Sequence, residues 1–281
     1  MLEPSELIWQ VGELQPLPAS SVRLSQLMSD ADYSIEEVQE VIAFDQALTL
    51  KLLRAANSAV SGGAAPVGSV GDAVFRMGGA QVLALVIAAG AKPFLQGAIP
   101  AFGLDEGALW RHSVAAAIGA EIAPRFCPVQ IPPDAFTAAL LHDVGKLFLG
   151  RLLKPEVLKL VKDAREKDNL DSLEAETRIL KFHHGELGGM IAEHWKLPAR
   201  VVHGIRYHHT PTEGNDVICD VTYLANHIAK SIEAGLDGKA YDTQIDPAVA
   251  SRLGMTEQTF EELWPAAISR YSRVRLQYNA M

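Results

Sequence analysis

The sequence predicts an all-α protein, and three observations carry that expectation. No stretch alternates apolar and polar residues with the period of a strand. Apolar residues recur at helical spacing, as in Ile35, Val38 and Ile42. Serines stand where helices should begin, with acidic partners three positions on: Ser34 with Glu37, Ser69 with Asp72.

Taken in order, Pro16 and Pro18 break the opening segment, and a helix begins near Ser20. Ser34 caps the next helix. Residues 48–56 continue with Leu50, Leu52 and Leu53 and end at Asn57-Ser58. Gly62-Gly63 and Pro66 mark a loop. Ser69 opens a helix with Val74, Phe75 and Met77, and Gly78-Gly79 separates it from an apolar helix ending at Lys92-Pro93. The first hundred residues contain no histidine, so residues 1–100 are expected to form a helical bundle without metal chemistry.

Residues 100–107 are the expected boundary, with a second helical module over 101–281 that holds all nine histidines. An Ala-rich helix over 110–122 carries His112. A loop with four prolines spans 124–133 and leads to His142-Asp143. An amphipathic helix follows at 155–167, then one over 174–194 containing His183 and His184, stopped by Leu197-Pro198. A short helix over 200–209 finishes in His208-His209, and one over 216–234 contains Asn226 and His227. Thr256 caps the last helices, which run through Trp264.

Net charge is −9 and the pI about 5.5, which gives no general electrostatic reason to bind nucleic acid or an anionic bilayer. A local basic pocket for a small phosphate ligand remains compatible with that balance. The opening residues lack a basic stretch and apolar core, so no secretory signal is read. The longest apolar run, 82–89, is far short of the roughly 18 residues a membrane span needs. Cys127 and Cys219 lack CxxC spacing and read as free thiols in a reducing cytosol, so a cytoplasmic location is expected.

The chain is organised around Ala139-Leu140-Leu141-His142-Asp143-Val144-Gly145-Lys146-Leu147. Its apolar flanks predict a buried helical segment, yet an imidazole, a carboxylate and an ammonium sit at its centre. Burying such groups costs several kcal/mol unless they pair or coordinate a metal. Taken alone, the dipeptide fits an N-cap Asp beside a packed His. His112, His184, His208 and His209, from separate helices, change the balance, because a helical bundle can aim such side chains at one interior point. Imidazole with carboxylate suits Fe, Mn or Zn. Gly145 lets backbone or a ligand come close, and Lys146 suits a phosphate oxygen. His183 and His184 differ by about 100° of rotation, so one of the two should face a shared centre. His194 and His203 read as solvent-facing.

His112, then His142-Asp143, then a late acidic position resembles the HD metal-dependent phosphohydrolase superfamily. Residues 42–58, Trp110-Arg111-His112-Ser113, Leu140 to Lys146 and His194-Trp195-Lys196-Leu197-Pro198 are similar to the HDOD ("HD-related output domain") family of bacterial signalling, over roughly residues 10–235. The resemblance implies an N-terminal bundle packed on an HD-like domain. It also implies a divalent-metal centre, with two ions, Fe or Mn ahead of Zn. His112, His142 and Asp143 would bind the first; Asp143 would bridge to a second held by His184, His208 and His209. Asp143 and Lys146 would be the catalytic pair, with Lys146 stabilising charge on a phosphate. The late aspartate aligns with Asn226, a neutral and weaker ligand. Asp220 lies about 240° away around the helix, in line with His227 and expected to pair with it. His208-His209-Thr210-Pro211-Thr212-Glu213-Gly214 lacks the Gly-Tyr-Pro signature of HD-GYP cyclic di-GMP phosphodiesterases.

Three functions follow as expectations. The first is a signalling-output protein with an occupied metal site. The second is an active phosphohydrolase on a nucleotide or cyclic dinucleotide. The third is a scaffold whose bundle recruits a partner; a di-iron oxygenase is more distant. No receiver, sensor or DNA-binding module is read, so input is expected from a signalling protein partner or a phosphate-containing ligand.

Overall fold

The computed structural model describes residues 17–30, 32–43, 45–57, 67–168, 170–236 and 243–279, with side chains up to Val274. Among these residues there is no strand, only one isolated bridge between Ile99 and Leu104. The all-α expectation therefore holds. Pro16, Phe44, Ser58, Gly62-Gly63 and Pro66 lie outside the described residues.

The first group of helices is α1 (Ala19–Met28), α2 (Ile35–Ala43), α3 (Gln46–Ala56), α4 (Val70–Met77) and α5 (Gly79–Leu95). Their starts follow the predicted chemistry. Ser34 and Glu37 exchange side-chain-to-backbone bonds of 3.2 and 2.9 Å. Ser69 Oγ accepts from Asp72 N–H at 3.1 Å. Asp45, which the sequence reading passed over, caps α3 through Leu48 N–H at 3.0 Å and accepts from Ser20 Oγ at 2.9 Å. Between α4 and α5 the chain turns by 112° at Gly78, whose φ of +77° suits glycine. Leu24, Val38, Ile42, Leu52, Val82 and Val86 fill the interior of this group at 0% exposure.

Helix α5 ends close to the expected Lys92-Pro93, running two residues past Pro93 to Leu95. Burial of Phe94 and Leu95 offsets the lost backbone hydrogen bond. No single described helix is long and apolar enough to cross a membrane. Helix α5 is largely buried in the protein.

The second group is α6 (Ala108–Ile122), α7 (Ala135–Leu141), α8 (Val144–Leu152), α9 (Pro155–Lys167), α10 (Ser172–Leu180), α11 (His184–His194), α12 (Ala199–Arg206), α13 (Pro211–Gly214), α14 (Val217–Leu236), α15 (Pro247–Arg252) and α16 (Glu257–Asn279). Helix α6 packs along α14 and α7, and α11 packs between α8 and α12. The expected single helix over 174–194 is two helices. The chain breaks at Lys181, in the left-handed region at φ +70°, and restarts with His183 as N-cap of α11. That break turns His184 inward; one continuous helix would have fixed it relative to α10.

The two groups meet through α5, which touches α6, α7 and α8. Helix α1 adds polar ties: Ser29 Oγ donates to buried Asp134 at 2.8 Å, and Gln26 Nε2 donates to the Lys196 carbonyl at 2.7 Å.

Candidate metal centre

The chemistry collects where helices end. His142 is the C-cap of α7, and Asp143 precedes α8 without capping it through its side chain. The expected continuous helical segment is therefore a junction. Helix ends leave carbonyls without intrahelical donors, and His142 uses one: Nδ1–H donates to the Ala139 carbonyl at 2.7 Å. His208, just past α12, repeats the device with the Ile205 carbonyl at 2.7 Å. A carbonyl only accepts, so each ring carries its proton on Nδ1 and turns the Nε2 lone pair inward.

Carboxylates orient two more rings. Glu176, fully buried on α10, accepts from His184 Nδ1 at 2.7 Å and from its backbone N–H at 2.6 Å. Glu233 on α14 lies 3.0 Å from His112 Nδ1. Neither glutamate was singled out in the sequence. A carboxylate behind an imidazole is the usual support of a metal-binding histidine. The available signal was weak: Glu176 falls on the apolar stripe of α10 with Ala175 and Leu180.

The inward atoms form two groups that share Asp143. His112 Nε2 lies 3.2 Å from His142 Nε2 and 3.2 Å from Asn226 Oδ1. Asp143 Oδ2 is 3.5 Å from both rings. On the other side, Asp143 Oδ1 is 3.1 Å from His184 Nε2 and 3.8 Å from His208 Nε2. His209 Nε2 approaches His184 Nε2 at 2.9 Å. His208 Nε2 and Asp143 Oδ1 are buried without a well-aligned hydrogen-bond partner. Lys146 reaches only Asp143 Oδ2, and the inward lone pairs at Asp143 Oδ1 and His208 Nε2 are desolvated, which is costly unless a cation lies among them. The donor set fits a divalent cation.

Electrostatics agree. Burial pushes the His142 pKa down to about 3, against the pull of Asp143. Burial and neighbouring rings also hold His208 and His209 well below the usual range. These imidazoles are neutral, as ligands must be. Burial alone would raise Asp143, but Lys146, His142 and His184 outweigh it and hold the carboxyl well below the usual range. His184 goes the other way: burial opposes its charge, yet Glu176 prevails and raises its pKa.

The sequence-derived residues fall into place unevenly. His112, His142, Asp143, His184, His208, His209 and Asn226 converge. Lys146 Nζ donates to Asp143 Oδ2 at 2.7 Å, so its ammonium is already engaged. Gly145 serves the backbone: a Cβ there would overlap the His184 carbonyl. Of the adjacent pair, His184 is buried at the centre while His183 caps its helix, accepting from Gly185 N–H at 3.1 Å. His194 is exposed, but His203 braces α13 through the Gly214 carbonyl at 2.7 Å. Asp220 pairs with Arg252, Nε to Oδ2 at 2.9 Å, and not with His227, which stacks on Tyr223 at 4.4 Å between ring centroids. Arg252 comes from α15, 32 residues away, beyond what helical spacing reveals.

The fold and site define an all-helical protein whose buried imidazoles and shared carboxylate form a cluster that could hold a divalent metal. The chain belongs to the HDOD family: the HDOD domain model matches residues 14–211. A curated relative from Treponema pallidum (strain Nichols), uncharacterized, is 24% identical over 272 residues. The match covers 92% of this chain and 51% of that protein, so the chain spans about half the relative's length. A provisionally named signal transduction protein from Marinobacter aquaeolei VT8 superposes with TM-score 0.76 at 24% identity, over 97% of this chain and 60% of that one. A provisionally named phosphohydrolase from Shewanella amazonensis SB2B gives TM-score 0.63 at 25% identity, over 93% and 97% of the two chains.

Proposed function

We propose that this HDOD protein acts in signal transduction through a dinuclear divalent-metal centre, with Fe or Mn favoured over Zn. One observation carries the reading: Asp143 divides its oxygens between two sets of inward-facing imidazole nitrogens. His112, His142 and Asp143 hold one ion, with the neutral Asn226 amide oxygen beside them. Asp143, His184, His208 and His209 hold the other. The mixed nitrogen and oxygen set suits Fe, Mn or Zn, and the preference for Fe or Mn rests on the family resemblance. Glu176, Glu233 and the two helix-end carbonyls orient the rings, and Lys146 orients Asp143. Input and output pass through a signalling protein partner or a small phosphate-containing ligand.

Elemental analysis of protein purified without a histidine tag tests the centre. Two equivalents of Fe or Mn per chain are expected, falling to background in Asp143→Ala. No bound metal, and none taken up on reconstitution, defeats the reading and leaves a scaffold.

A second reading is hydrolysis of a phosphoester of a nucleotide or cyclic dinucleotide. It is favoured by the position of Asp143 between the two groups of imidazole nitrogens and by the likeness to the Shewanella protein. Divalent ions supply Lewis-acid polarisation of phosphoryl oxygens and acidify water. The chain's residues would hold that centre dry and fixed. Asn226 in place of a carboxylate leaves one negative charge fewer. Phosphomonoesters, phosphodiesters and cyclic dinucleotides assayed with Mn and Fe decide it: turnover lost in Asp143→Ala supports hydrolysis, and a fully loaded but inert protein rejects it.

A further inference from the structure

Lys146 is committed to Asp143, but a second lysine beside the centre is not committed to anything. Lys230 lies on α14 four residues after Asn226 and three before Glu233. Residues spaced by four and seven share one helix face. Both neighbours on that face touch His112, Asn226 Oδ1 at 3.2 Å from Nε2 and Glu233 Oε2 at 3.0 Å from Nδ1. Lys230 therefore stands at the edge of the centre, half-buried. Among the described residues its ammonium has neither a hydrogen bond nor an ion pair. Burial and then the like charge of Lys146 draw its pKa down, while Asp143, Asp171 and Glu233 pull the other way.

A half-buried ammonium with a second ammonium nearby and no hydrogen-bond or ion-pair partner of its own is unfavourable unless an anion pairs with it. The charge balance points the same way. Asp143, Asp171, Glu176 and Glu233 outnumber the two lysines by two negative charges, so one divalent ion balances the centre and a second makes it net positive. A compact, multi-oxygen anion can satisfy a metal and an ammonium together, and lysine binds phosphate as a point charge. We propose that Lys230 is the anion-recognition residue of this centre, and that the group it recognises is the phosphate of a small phosphate-containing ligand. The assignment rests on the metal reading above. It moves the phosphate-binding role expected of Lys146 to a residue one turn beyond Asn226.

The test is calorimetric titration of inorganic phosphate into the full, untagged, metal-loaded chain, with metal content measured on the same samples. Lys230→Gln is expected to weaken phosphate binding roughly tenfold or more at unchanged metal content, and Lys230→Arg to recover most of it. Equal affinity in wild type and Lys230→Gln, no phosphate binding by wild type, or loss of metal in Lys230→Gln each overturns the assignment. If the wild type takes up no metal, the dinuclear reading falls by itself. The phosphate-induced Tm shift of the metal-free proteins then decides: a shift lost in Lys230→Gln supports the assignment, and equal or absent shifts overturn it.

Discussion

The helices before residue 96 and those after it obey the same packing rules but spend their junctions differently. Between α2 and α3, Asp45 merely caps; between α4 and α5, Gly78 merely turns. Between α7 and α8, the junction is His142-Asp143, buried and aimed inward. At the start of α11 and the end of α12 stand His184 and His208, also fully buried. Among the described residues the first group buries no titratable side chain, only Ser21 and Ser25 beside its apolar interior. The second group places titratable groups in its interior. Polar groups are tolerated there because helix ends and buried carboxylates supply partners on one side of each ring, leaving the other side for a cation.

The comparison can be broken most forcefully at Gly145. Because a Cβ would meet the His184 backbone, Gly145→Val is expected to cost more than about 4 kcal/mol, so that circular dichroism melts show loss of the folded second group. A normal melt would mean that α8 and α11 do not need this approach. A smaller effect is expected behind the ring of His184. Glu176→Gln should lower metal affinity about 10- to 100-fold, read by competition with a chelator, with the fold retained. Unchanged affinity would remove Glu176 from the support of the centre.

Acid sharpens the contrast further. In metal-free protein, His142, His208 and His209 are held neutral in the fold but charge freely when unfolded. The unfolded chain then binds more protons, so stability rises with pH in that window. Stability is present above about pH 6.5, the ordinary histidine value. It is lost as pH falls towards the folded value of about 3 for His142. Urea melts at several pH values check this, and a flat profile between pH 6.5 and 4 would count against buried neutral rings. The smallest effect belongs to the first group: Asp45→Ala removes the α3 cap and should cost about 1 kcal/mol. Chemical denaturation measures the loss, and metal content should not change. Loss of metal in that variant would show the two groups to be coupled more tightly than their contacts through α1 and α5 imply.

The helical class and the residues that converge at the candidate site were legible because their signals are local. Serine caps act over three residues, and His142-Asp143 is conspicuous inside an apolar run. What supports the site was not legible. Glu176 and Glu233 sit on amphipathic helices, where a glutamate ordinarily faces water. Lys181 breaks a helix in a conformation favoured by glycine, with no composition cue. The Asp220–Arg252 pair joins residues that only tertiary packing brings together. Each of these depends on which neighbour arrives across space, and spacing along one helix does not contain that information.

Main-chain oxygens aim the rings of His142 and His208, so the chemical identity of residues 139 and 205 hardly matters to that aim. Length does. Inserting or deleting one residue in Ala135–Leu141 would swing the imidazole by about 100°, away from its companions. Substitution at those buried positions would be felt in packing, while the aim of the rings depends on the number of residues between turns.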